Sequence, residues 1–487
     1  MALLAKAFME INHLKNSILT HFGHLPTDDQ AQAINHLSSF TMSVKSSPLY
    51  MLKGYAGTGK TSLMSAYVKA LATMDIPFVL MAPTGRAAKV FSHYAGFRAH
   101  TIHRYIYLFI TNADGKTNII LSPNKLNKAV FIVDEASMIG DTSQEPGSVF
   151  NRSLLIDLFD YVYRNSGNKL ILIGDTAQLP PVGLDISPAL NLKLLQTTFN
   201  ITGYQHLMRE VMRQSFDSGI LQSATQLRNK VEHEAVLHPL FIIPNQVSDV
   251  MLIESGFEME EELTNAFGSS ASEDCVVICK SNKRANLFNQ QIRNKVLGRD
   301  NELEGGDLLM VVKNNYYWLG NDAKAGFIAN GDMVSIQRVV RTEERYGLRF
   351  ADVEIQMVDY PEEKTMEVKI ILDTLMAEGP DIPRSEMDKL FHAVEAEYSD
   401  YPKRRTRLDK VRVDPWYNAL HVKFGYALTC HKTQGGQWEN VFVDQGYLPE
   451  EQIDIAYLRW LYTAVTRSTS KLYMMGFKSG LIEQAEN

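Results

Sequence analysis

The stretch Gly54-Tyr55-Ala56-Gly57-Thr58-Gly59-Lys60-Thr61 decides the fold of this chain. It matches the pattern G-x-x-x-x-G-K-[ST], in which glycines let backbone N–H groups turn inward around a phosphate. The apolar run LYMLK (49–53) comes directly before it, and the helical pattern SLMSAYVKAL (62–71) follows directly. A strand, a phosphate-binding loop (P-loop) and a helix in this order predict a nucleotide-binding α/β unit.

Short apolar runs bounded by turn residues recur in both halves of the chain. They are PFVLMAP (77–83), AVFIVDEAS (129–137) and KLILIGD (169–175), and later DCVVICK (274–280), NVFVDQG (440–446) and KLYMMGF (471–477). Near-continuous apolar runs joined by amphipathic segments are typical of parallel strands buried on both faces. The pattern therefore predicts an α/β fold with two units, each built on a doubly wound parallel sheet.

Between about residues 301 and 414 the pattern changes to alternating apolar and polar positions. The segments DLLMVVKNN, DMVSIQRVV, ADVEIQMVD and MEVKIIL are separated by turn signals such as Asn330-Gly331-Asp332. This alternation predicts a small antiparallel β insertion in the second α/β unit. The basic stretch PKRRTRLDKVR (402–412) closes the insertion and is interpreted as a solvated face or a mobile loop.

The composition excludes several classes of protein. A chain of 487 residues with 45% hydrophobic and 22% charged residues buries several cores, which excludes a small binding module and a disordered chain. The net charge of −7 gives no global basic field, so nucleic acid must bind in a local groove. The cysteines Cys275, Cys279 and Cys430 form no C-x-x-C pair and predict buried thiols in a reducing compartment. No stretch approaches the roughly 18 apolar residues of a membrane span.

Two carboxylates, Asp134 and Glu135, end one of the apolar strands. Burying a pair of acids is costly, which indicates a function. Asp134 would hold Mg²⁺ through water, and Glu135 would accept a proton from the water that attacks the γ-phosphate. Lys60 would neutralise the β- and γ-phosphates, and the Thr61 hydroxyl would be a second ligand for the ion. The sequence thus predicts a nucleoside triphosphatase.

Further motifs extend in a fixed order from about Gln30 to Arg467. They are Ala82–Ala88, Thr101–Arg104, Gly174–Val182, Glu210–Gln214, Tyr426–Gly436 and Leu461–Arg467. In this order they resemble motifs Ia, Ib, III, IV, V and VI of the superfamily 1 helicases of the B type, the RecD/Dda-like group. The resemblance implies two RecA-like P-loop domains, an SH3-like β insertion in the second and a short β-hairpin insertion in the first.

The resemblance also implies which residues hold ATP and act on it. The catalytic set is Lys60, Asp134, Glu135, Gln178, Arg213 and Arg467, with Thr61 and Asp134 as the Mg²⁺ ligands. The nucleotide-binding set is Gln30, Gly54, Ala56, Gly57, Thr58, Gly59, Lys60, Thr61, Gln434 and Gly435. Gln30 would read adenine through its amide, Gln178 would sense the γ-phosphate, and both arginines would reach that phosphate across the interdomain cleft.

A third set is implied to contact nucleic acid. It comprises Thr84, Thr101, His103, Arg104, Pro180, Thr429, His431 and Lys432. Hydroxyls and cations at the ends of strands and helices suit phosphate oxygens. The Asp114-Gly115 turn predicts a hairpin where the family has its strand-separating pin, and Tyr316-Tyr317-Trp318 either stacks bases or packs the insertion.

The implied function is that of an ATP-dependent DNA helicase that translocates 5′→3′ on single-stranded DNA and unwinds duplex DNA. ATP and Mg²⁺ are its expected cofactors, single-stranded and forked DNA its expected ligands, and replication, recombination or repair proteins its possible partners. We expect a monomer in the cytoplasm, associated with the nucleoid. The expected domains are a helical segment 1–47, a first RecA-like domain 48–205 with a hairpin at about 105–128, a second formed by 206–300 and 415–487, and the insertion 301–414.

Two alternatives stay open at this point. An RNA helicase or RNP remodeller also uses two RecA-like domains, and contacts to the backbone do not by themselves distinguish ribose from deoxyribose. A nucleotide-gated regulatory NTPase shares the P-loop, but it needs none of motifs Ia, Ib and V.

Overall fold

The structure is a computed structural model. It describes residues 2–111, 117–141, 153–211, 218–245, 247–269, 272–319, 327–478 and 480–485. The first unit has helices α1 (Ala2–Phe22), α2 (Asp28–Thr41), α3 (Lys60–Thr73), α4 (Gly85–Ala95), α5 (Ile102–Ile106), α6 (Leu154–Tyr163) and α7 (Leu192–Phe199). Its strands are β1 (Pro48–Gly54), β2 (Phe78–Ala82), β3 (Ala99–Thr101), β4 (Tyr107–Thr111), β5 (Thr117–Leu121), β6 (Val130–Val133), β7 (Lys169–Gly174) and β8 (Thr202–Met208). Short 3₁₀ helices span Ala136–Met138 and Pro188–Leu190.

The first unit contains the predicted parallel sheet. Its strand order is β3-β2-β6-β7-β1-β8, and every neighbouring pair is parallel. In β1, Leu49 and Met51 belong to one buried cluster while Tyr50 and Leu52 belong to another on the opposite face. Because both faces are covered, successive residues are all apolar, as the sequence indicates. The parallel order brings the P-loop after β1 and the acids after β6 to one edge of the sheet.

The sequence does not predict the edge strand β8. This strand pairs with β1 from Pro48↔Thr202 to Gly54↔Met208, so the expected domain boundary between residues 205 and 206 falls inside it. Tyr204 and Gln205 are exposed. An edge strand has no neighbour on one side, and TGYQHLM therefore lacks the continuous apolar run that marks the central strands.

The second half continues with helices α8 (Gly219–Glu232), α9 (Gly256–Ser269), α10 (Asn282–Gln291), α11 (Arg384–Glu397), α12 (Arg404–Arg412), α13 (Cys430–Thr433) and α14 (Ile455–Val465). Its strands are β9 (Phe241–Ile243), β10 (Val250–Ile253), β11 (Cys275–Cys279), β12 (Leu308–Val311), β13 (Met333–Arg345), β14 (Leu348–Met357), β15 (Met366–Ile371), β16 (Leu420–Phe424), β17 (Ala427–Thr429), β18 (Trp438–Asp444), β19 (Ser468–Met475) and β20 (Ile482–Gln484). A π-helical turn spans Ile292–Val296, and 3₁₀ helices span Ser272–Asp274, Leu372–Thr374 and Glu450–Gln452. The order β10-β19-β18-β11-β17, parallel throughout, confirms a second α/β unit.

A five-stranded closed barrel, β12 to β16, is inserted in the second unit. Its pairs are antiparallel except β15 with β16, which is parallel. The last strand ends at Phe424, ten residues beyond the expected boundary at 414, because LHVKF runs through Gly425 into β17 without a loop between them. Most of the basic stretch 402–412 forms helix α12, in which Arg404 and Arg405 are exposed.

A buried ionic network joins the barrel to the second sheet. Asp307 is fully buried and accepts hydrogen bonds from Arg293 Nε and Nη2, both at 2.9 Å. Its Oδ1 also accepts from Arg299 Nη1 and from the Tyr426 hydroxyl, each at 3.0 Å. This carboxylate therefore neutralises two guanidinium groups and ties the residue before β17 to the start of the barrel.

The helical segment predicted at the start of the chain contains two helices, α1 and α2. The Thr27 hydroxyl caps α2 by accepting from Gln30 N at 3.3 Å, as expected for that position. Helix α1 packs on α2 and α3 through buried Leu14 and Ile18. The three cysteines are buried free thiols, as predicted. Among the described helices, none has the length and apolarity needed to cross a bilayer.

Candidate functional site

The P-loop forms a close backbone cradle between β1 and α3. A Cβ atom added at Gly54 would lie 3.0 Å from Lys60 Cγ and from Thr58 Oγ1, so a larger residue would fill the loop. Gly59 stands at the start of α3 with φ of +81°, in the left-handed region that favours glycine. The first N–H groups of α3 consequently face the loop, and this donor set fits a phosphate.

Lys60 and Thr61 occupy the first two positions of α3. The Lys60 ammonium donates to Gly54 O at 2.7 Å and to Tyr55 O at 2.8 Å, which holds it over the loop. Thr61 is exposed, so its hydroxyl is accessible to a ligand. Their contacts with phosphate and Mg²⁺ stay predictions.

The acids Asp134 and Glu135 directly follow β6. Burial raises the pKa of Asp134, the neighbouring Glu135 carboxylate raises it further, and the nearby Lys60 opposes both effects. Asp134 Oδ1 accepts from Glu135 N at 2.8 Å. Glu135 itself has φ of 51° and ψ of 37°, a left-handed conformation that is uncommon for a non-glycine residue. The structure thus brings the two acids and Lys60 into one electrostatic unit.

Gln30 is fully buried beside the P-loop. Its Oε1 accepts from Thr27 N at 3.0 Å, and its Nε2 donates to Thr58 O at 3.0 Å. The amide therefore completes the capping box of α2 and links it to the P-loop. The adenine-reading role implied by the resemblance stays a prediction, because it requires the amide to exchange these two bonds.

Tyr462 connects the two α/β units at the P-loop. Its hydroxyl accepts from Ala56 N at 2.9 Å and donates to Asp175 Oδ2 at 2.6 Å. Asp175 follows β7 in the first unit, whereas Tyr462 lies on α14 in the second. A single buried hydroxyl therefore joins the P-loop to motif III.

Motif III makes further contacts with the second unit. Leu179 N donates to Thr463 Oγ1 at 2.9 Å, and Leu179 O accepts from Gln434 Nε2 at 2.9 Å. Gln434 thus contacts motif III, while the structure gives it no bond to the P-loop within the described residues. A Cβ atom at Gly435, where φ is +75°, would lie 2.7 Å from Ala87 Cβ, so this glycine packs closely against α4.

Gln178 lines a polar cavity of about 520 Å³ beside motif III. Its Oε1 is buried and has no hydrogen-bond partner within the described part of the chain. Asp175, Pro180 and Arg459 also line the cavity, and the Arg459 guanidinium donates to Thr176 O. The role of Gln178 in sensing the γ-phosphate stays a prediction.

The structure describes only one of the two arginines that are predicted to reach the γ-phosphate. Arg213 lies outside the described residues. Arg467 is buried and donates to Thr463 O at 3.0 Å and to Gly436 O at 3.2 Å, both in its own unit. Its contact with a γ-phosphate therefore stays a prediction that requires a different side-chain conformation.

Helix α8 covers the P-loop from the second unit. The Arg228 guanidinium lies 4.6 Å from the centre of the Tyr55 ring, and the Tyr55 hydroxyl donates to Glu232 Oε1 at 2.7 Å. A Cβ atom at Gly57 would lie 3.1 Å from Leu221 Cδ2. The P-loop is therefore enclosed by residues of both units.

The predicted nucleic-acid contacts of the first unit lie at helix starts. Thr84 Oγ1 accepts from Ala87 N at 3.2 Å and caps α4, and Thr101 Oγ1 accepts from Arg104 N at 3.3 Å and caps α5. The His103 ring lies 5.8 Å from the Tyr107 ring. Arg104 lies 5.9 Å from the ring of Phe327 in the inserted barrel region. The first unit is thus in contact with the insertion at motif Ib.

The predicted contacts of the second unit lie on and beside α13. Thr429 precedes this helix, and His431 and Lys432 belong to it. Burial lowers the pKa of His431. Burial and the nearby Lys423 ammonium lower the pKa of Lys432 to about 8, against the opposing effect of Asp381. Lys432 Nζ is buried without a hydrogen-bond partner among the described residues.

The strand pair predicted between motifs Ib and II is present. β4 and β5 are antiparallel, from Tyr107↔Leu121 to Thr111↔Thr117. The predicted Asp-Gly turn itself, at 112–116, lies outside the described residues. The pair stands apart from the main sheet, which fits a short insertion in the first unit.

Sequence reasoning missed three polar residues of this site, namely Asp175, Arg459 and Tyr462. Asp175 and Tyr462 stand inside motifs III and VI, which are visible in the sequence. Their roles depend on contacts between residues 287 positions apart, which no local pattern reveals. The signal that could have found them is a polar group placed at the end of a buried strand or within a largely buried helix.

Two family profiles match the chain. Residues 26–238 match an AAA domain, and residues 424–475 match a UvrD-like helicase C-terminal domain. The first match covers the P-loop, the two acids and motif III. The second begins at Phe424 and covers motifs V and VI.

Two DNA helicases are similar to this protein over most of the chain. The ATP-dependent RecD2 DNA helicase of Deinococcus radiodurans is 24% identical over 456 residues, which cover 93% of this chain and 49% of that protein. The ATP-dependent DNA helicase Dda of Enterobacteria phage T4 is 25% identical over 453 residues, covering 85% of this chain and 92% of Dda. The chain therefore spans about half of RecD2 and nearly all of Dda.

Among solved structures, a Pif1 helicase from Bacteroides in complex with ADP-AlF3 and single-stranded DNA aligns with this chain. The alignment covers 95% of each chain at 14% identity, with a TM-score of 0.48.

Proposed function

We propose that this chain is a superfamily 1 helicase of the B type, namely an ATP-dependent DNA helicase that moves 5′→3′ along one strand and separates duplex DNA. The observation that carries the proposal is the bridge formed by Tyr462, because it joins the P-loop of one unit to a helix of the other. A nucleotide bound at the P-loop is thereby coupled to the relative position of both units.

The P-loop residues are assigned to bind ATP. Backbone N–H groups at the start of α3 would hold the β-phosphate, and the Lys60 ammonium would move from the loop carbonyls to the phosphates. Thr61 and Asp134 are the assigned ligands of Mg²⁺, which when bound neutralises charge on the phosphates. Asp134 must be ionised for this role, and the Lys60 charge favours that state.

Glu135 is the assigned general base. Its carboxylate follows the end of β6 and lies beside Asp134, so it can accept a proton from the water that attacks the γ-phosphate. Gln178, whose buried Oε1 has no partner in the described chain, is assigned to orient that water or the γ-phosphate. Arg213 and Arg467 are the proposed fingers from the second unit.

The path from the nucleotide to the strand runs through motif III. Tyr462 holds Asp175, and Gln434 and Thr463 hold the main chain of Leu179, three residues before Val182 at the end of the motif. Pro180 follows Leu179 and is an assigned strand contact. A change in the position of the P-loop is therefore passed to residues that contact DNA.

The strand is proposed to lie across both units. Motifs Ia and Ib place Thr84, Thr101, His103 and Arg104 on the first, and motif V places Thr429, His431 and Lys432 on the second. Because each unit has its own grip, repeated closure on ATP and opening after hydrolysis moves the strand in one direction. The β4–β5 pair is the proposed pin, and the barrel β12–β16 supports an SH3-like insertion.

The domain boundaries proposed here follow the sheets. We assign the helical segment to 1–47, the first RecA-like domain to 48–208, which includes β8, and the insertion to 301–424, which includes β16. The second RecA-like domain comprises the residues between the first domain and the insertion, together with the residues after it.

Steady-state ATPase assays with and without single-stranded DNA or RNA test the proposal, with Lys60→Ala as the inactive control. Stimulation by DNA that disappears in Lys60→Ala is the expected result. Stimulation by RNA alone would make the chain an RNA helicase, and ATPase activity that neither polymer changes would leave only a regulatory NTPase.

A further inference from the structure

The cavity beside motif III is separate from the P-loop but adjoins the ATP site in the chain. Its volume is about 520 Å³, and among the described residues neither the P-loop nor the two acids line it. Three wall residues stand next to parts of the ATP site. Lys53 directly precedes the P-loop, Ser137 lies two positions after the second acid, and Gln178 belongs to motif III. We call this space the motif III cavity.

Two polar atoms of the cavity wall are buried without a hydrogen-bond partner among the residues that the structure describes. They are Gln178 Oε1 and Ser137 Oγ. Gln178 is 8% exposed and Ser137 is 1% exposed, so bulk solvent does not satisfy them. The first atom is an acceptor, and the second belongs to a hydroxyl that can donate or accept. A buried polar group without a partner is costly, which favours a bound molecule at this place.

Positive charge predominates in the wall. Lys53, Lys193 and Arg459 line the cavity, whereas Asp175 is its single carboxylate among the described residues. Both oxygens of that carboxylate already accept hydrogen bonds within the protein, at 2.8 and 2.6 Å. Burial lowers the pKa of Lys53, whose ammonium donates to the neutral Gln205 side chain at 3.0 Å. The bound molecule that the wall favours is therefore an anion.

One side of the cavity is accessible from solvent. Ile186, Lys193, Gln196 and Gln205 belong to the wall and are exposed, in contrast to the buried Gln178. Two of the four lie on α7. A small ion can therefore pass between the solvent and the buried end of the cavity, where motif III lies.

Inorganic phosphate has the chemistry that this wall recognises. In the proposed reaction, water adds to the γ-phosphorus of ATP, the bond to the β–γ bridging oxygen breaks, and ADP and inorganic phosphate are formed. At neutral pH, phosphate carries anionic oxygens, which suit Lys53 and Lys193, and a hydroxyl, which suits Gln178 Oε1. Sulfate has the same shape but carries no hydroxyl at that pH.

We propose that the motif III cavity receives inorganic phosphate after hydrolysis and is the route by which this product leaves the protein. This inference rests on the proposed helicase function. Gln178, the residue assigned to the γ-phosphate, stands at the buried end of the route, and the exposed Lys193 stands at the other. The sequence does not reveal the cavity, because its wall comes from separate segments of the chain.

The first test compares hydrolysis with phosphate release in single turnovers of the full chain with single-stranded DNA. Rapid quenching measures hydrolysis, and a fluorescent phosphate-binding protein measures release. Ile186→Trp is the main variant, because Ile186 lines the cavity and is 57% exposed, so a larger side chain narrows the opening without entering the core. We expect release to become several-fold slower while the rate of hydrolysis stays unchanged.

Leu194→Trp is the matched control for this variant. Leu194 lies on α7 and is 39% exposed, but it does not line the cavity. Its release rate is expected to equal that of the unaltered protein. Release from Ile186→Trp at the unaltered rate, or equal slowing in both variants, would overturn the proposed route although the helicase function stands. If the unaltered protein hydrolyses no ATP, the proposed function itself fails.

The second test measures binding of inorganic phosphate by the line width of its ³¹P NMR signal at constant ionic strength. Lys60→Ala weakens the P-loop site, so the broadening that persists in this variant reports the cavity. Adding Lys193→Ala is expected to reduce it several-fold, whereas adding Lys69→Ala, an exposed lysine on α3, leaves it unchanged. Sulfate is expected to displace phosphate poorly. Loss of all broadening in Lys60→Ala, or full broadening after Lys193→Ala, would contradict a phosphate site in the cavity.

Discussion

Glu135 illustrates how much depends on a single residue at this site. Its left-handed backbone turns the chain sharply at the end of β6, directly into the 3₁₀ helix Ala136–Met138. Such a conformation costs about 1–3 kcal/mol for a non-glycine residue and persists where the surrounding structure enforces it. Here it keeps both carboxylates at the edge of the sheet that holds the P-loop.

Glu135→Gln is expected to lower kcat for DNA-stimulated ATP hydrolysis by about 10²–10⁴-fold, the usual contribution of a general base. The amide retains the shape of the side chain but cannot accept the proton. ATP binding, measured with a fluorescent nucleotide analogue, is expected to persist in Glu135→Gln and to be lost in Lys60→Ala. Hydrolysis at the normal rate in Glu135→Gln would remove this residue from the chemical step.

Lys432, an assigned strand contact, is expected to make DNA binding dependent on pH. Burial lowers the pKa of both Lys423 and Lys432 to about 8, and Asp381 opposes the shift in each case. A bound phosphate favours the charged ammonium, so Lys432 takes up a proton on binding when the pH is near 8. Affinity for single-stranded DNA is therefore expected to fall as the pH rises from about 7 to about 9.

The other groups around these lysines do not reverse that direction. Burial lowers the pKa of His421, and hydrogen bonding from His421 lowers the pKa of Asp381. Calorimetry in two buffers of different ionisation enthalpy measures the proton uptake. Lys432→Arg stays charged and is expected to bind with a smaller dependence on pH; an unchanged dependence would contradict the assignment.

At the scale of the element, α14 contacts the P-loop from the second unit through Tyr462. Tyr462→Phe removes the acceptor of Ala56 N and the donor to Asp175 Oδ2. We expect the ratio of DNA-stimulated to basal ATPase to fall several-fold, because the P-loop and motif III then move independently. The buried groups left unpaired also cost about 1–3 kcal/mol of stability, measurable by thermal unfolding.

Tyr457→Phe is a matched control for this prediction. Tyr457 lies on the same helix, is 3% exposed, and its hydroxyl has no hydrogen-bond partner in the part of the chain that the structure describes. Removing that hydroxyl is expected to leave the stimulation ratio unchanged. Equal loss in the two variants would indicate a general effect on α14 and contradict the coupling role of Tyr462.

The joint between the barrel and the second sheet depends on Asp307. Asp307→Asn leaves the buried Arg293 and its neighbour Arg299 without their counter-charge. A destabilisation of about 3–5 kcal/mol is expected, as for the loss of one partner from a buried ion pair. Calorimetric unfolding measures it. Asp409→Asn, which breaks the more exposed pair with Arg412, is expected to cost less than about 1 kcal/mol; similar costs for both would show that the network is not a structural joint.

The elements differ in how well the sequence predicts them, for physical reasons. β1, β2, β6 and β7 are buried on both faces, so their composition alone reveals them. β8 at the sheet edge and β16, which continues into β17, lack such a signal. The P-loop is one contiguous stretch of sequence, and Asp134 and Glu135 are adjacent to each other. A local sequence pattern therefore identifies each of them. Tyr462 and the motif III cavity depend on segments that only the folded chain brings together.

At the scale of the whole molecule, two parallel-sheet units enclose the P-loop, and the barrel region contacts the first unit at motif Ib. The net charge of −7 means that attraction to DNA depends on local clusters of cations. In the proposed mechanism both units hold the same strand, so a change in their separation with each ATP would move the strand. The β4–β5 pair would then meet the duplex at the fork.

Strand separation of duplexes that carry a single-stranded tail of either polarity tests this account most directly. A base-pair step costs about 1.4 kcal/mol on average, which ATP hydrolysis can supply. We predict that, in the presence of ATP and Mg²⁺, the protein unwinds the duplex with a 5′ tail and leaves the duplex with a 3′ tail intact. The Lys60→Ala variant is expected to unwind neither duplex. ATP hydrolysis stimulated by DNA without unwinding of either substrate would contradict the helicase function, and unwinding from the 3′ tail alone would contradict the proposed direction.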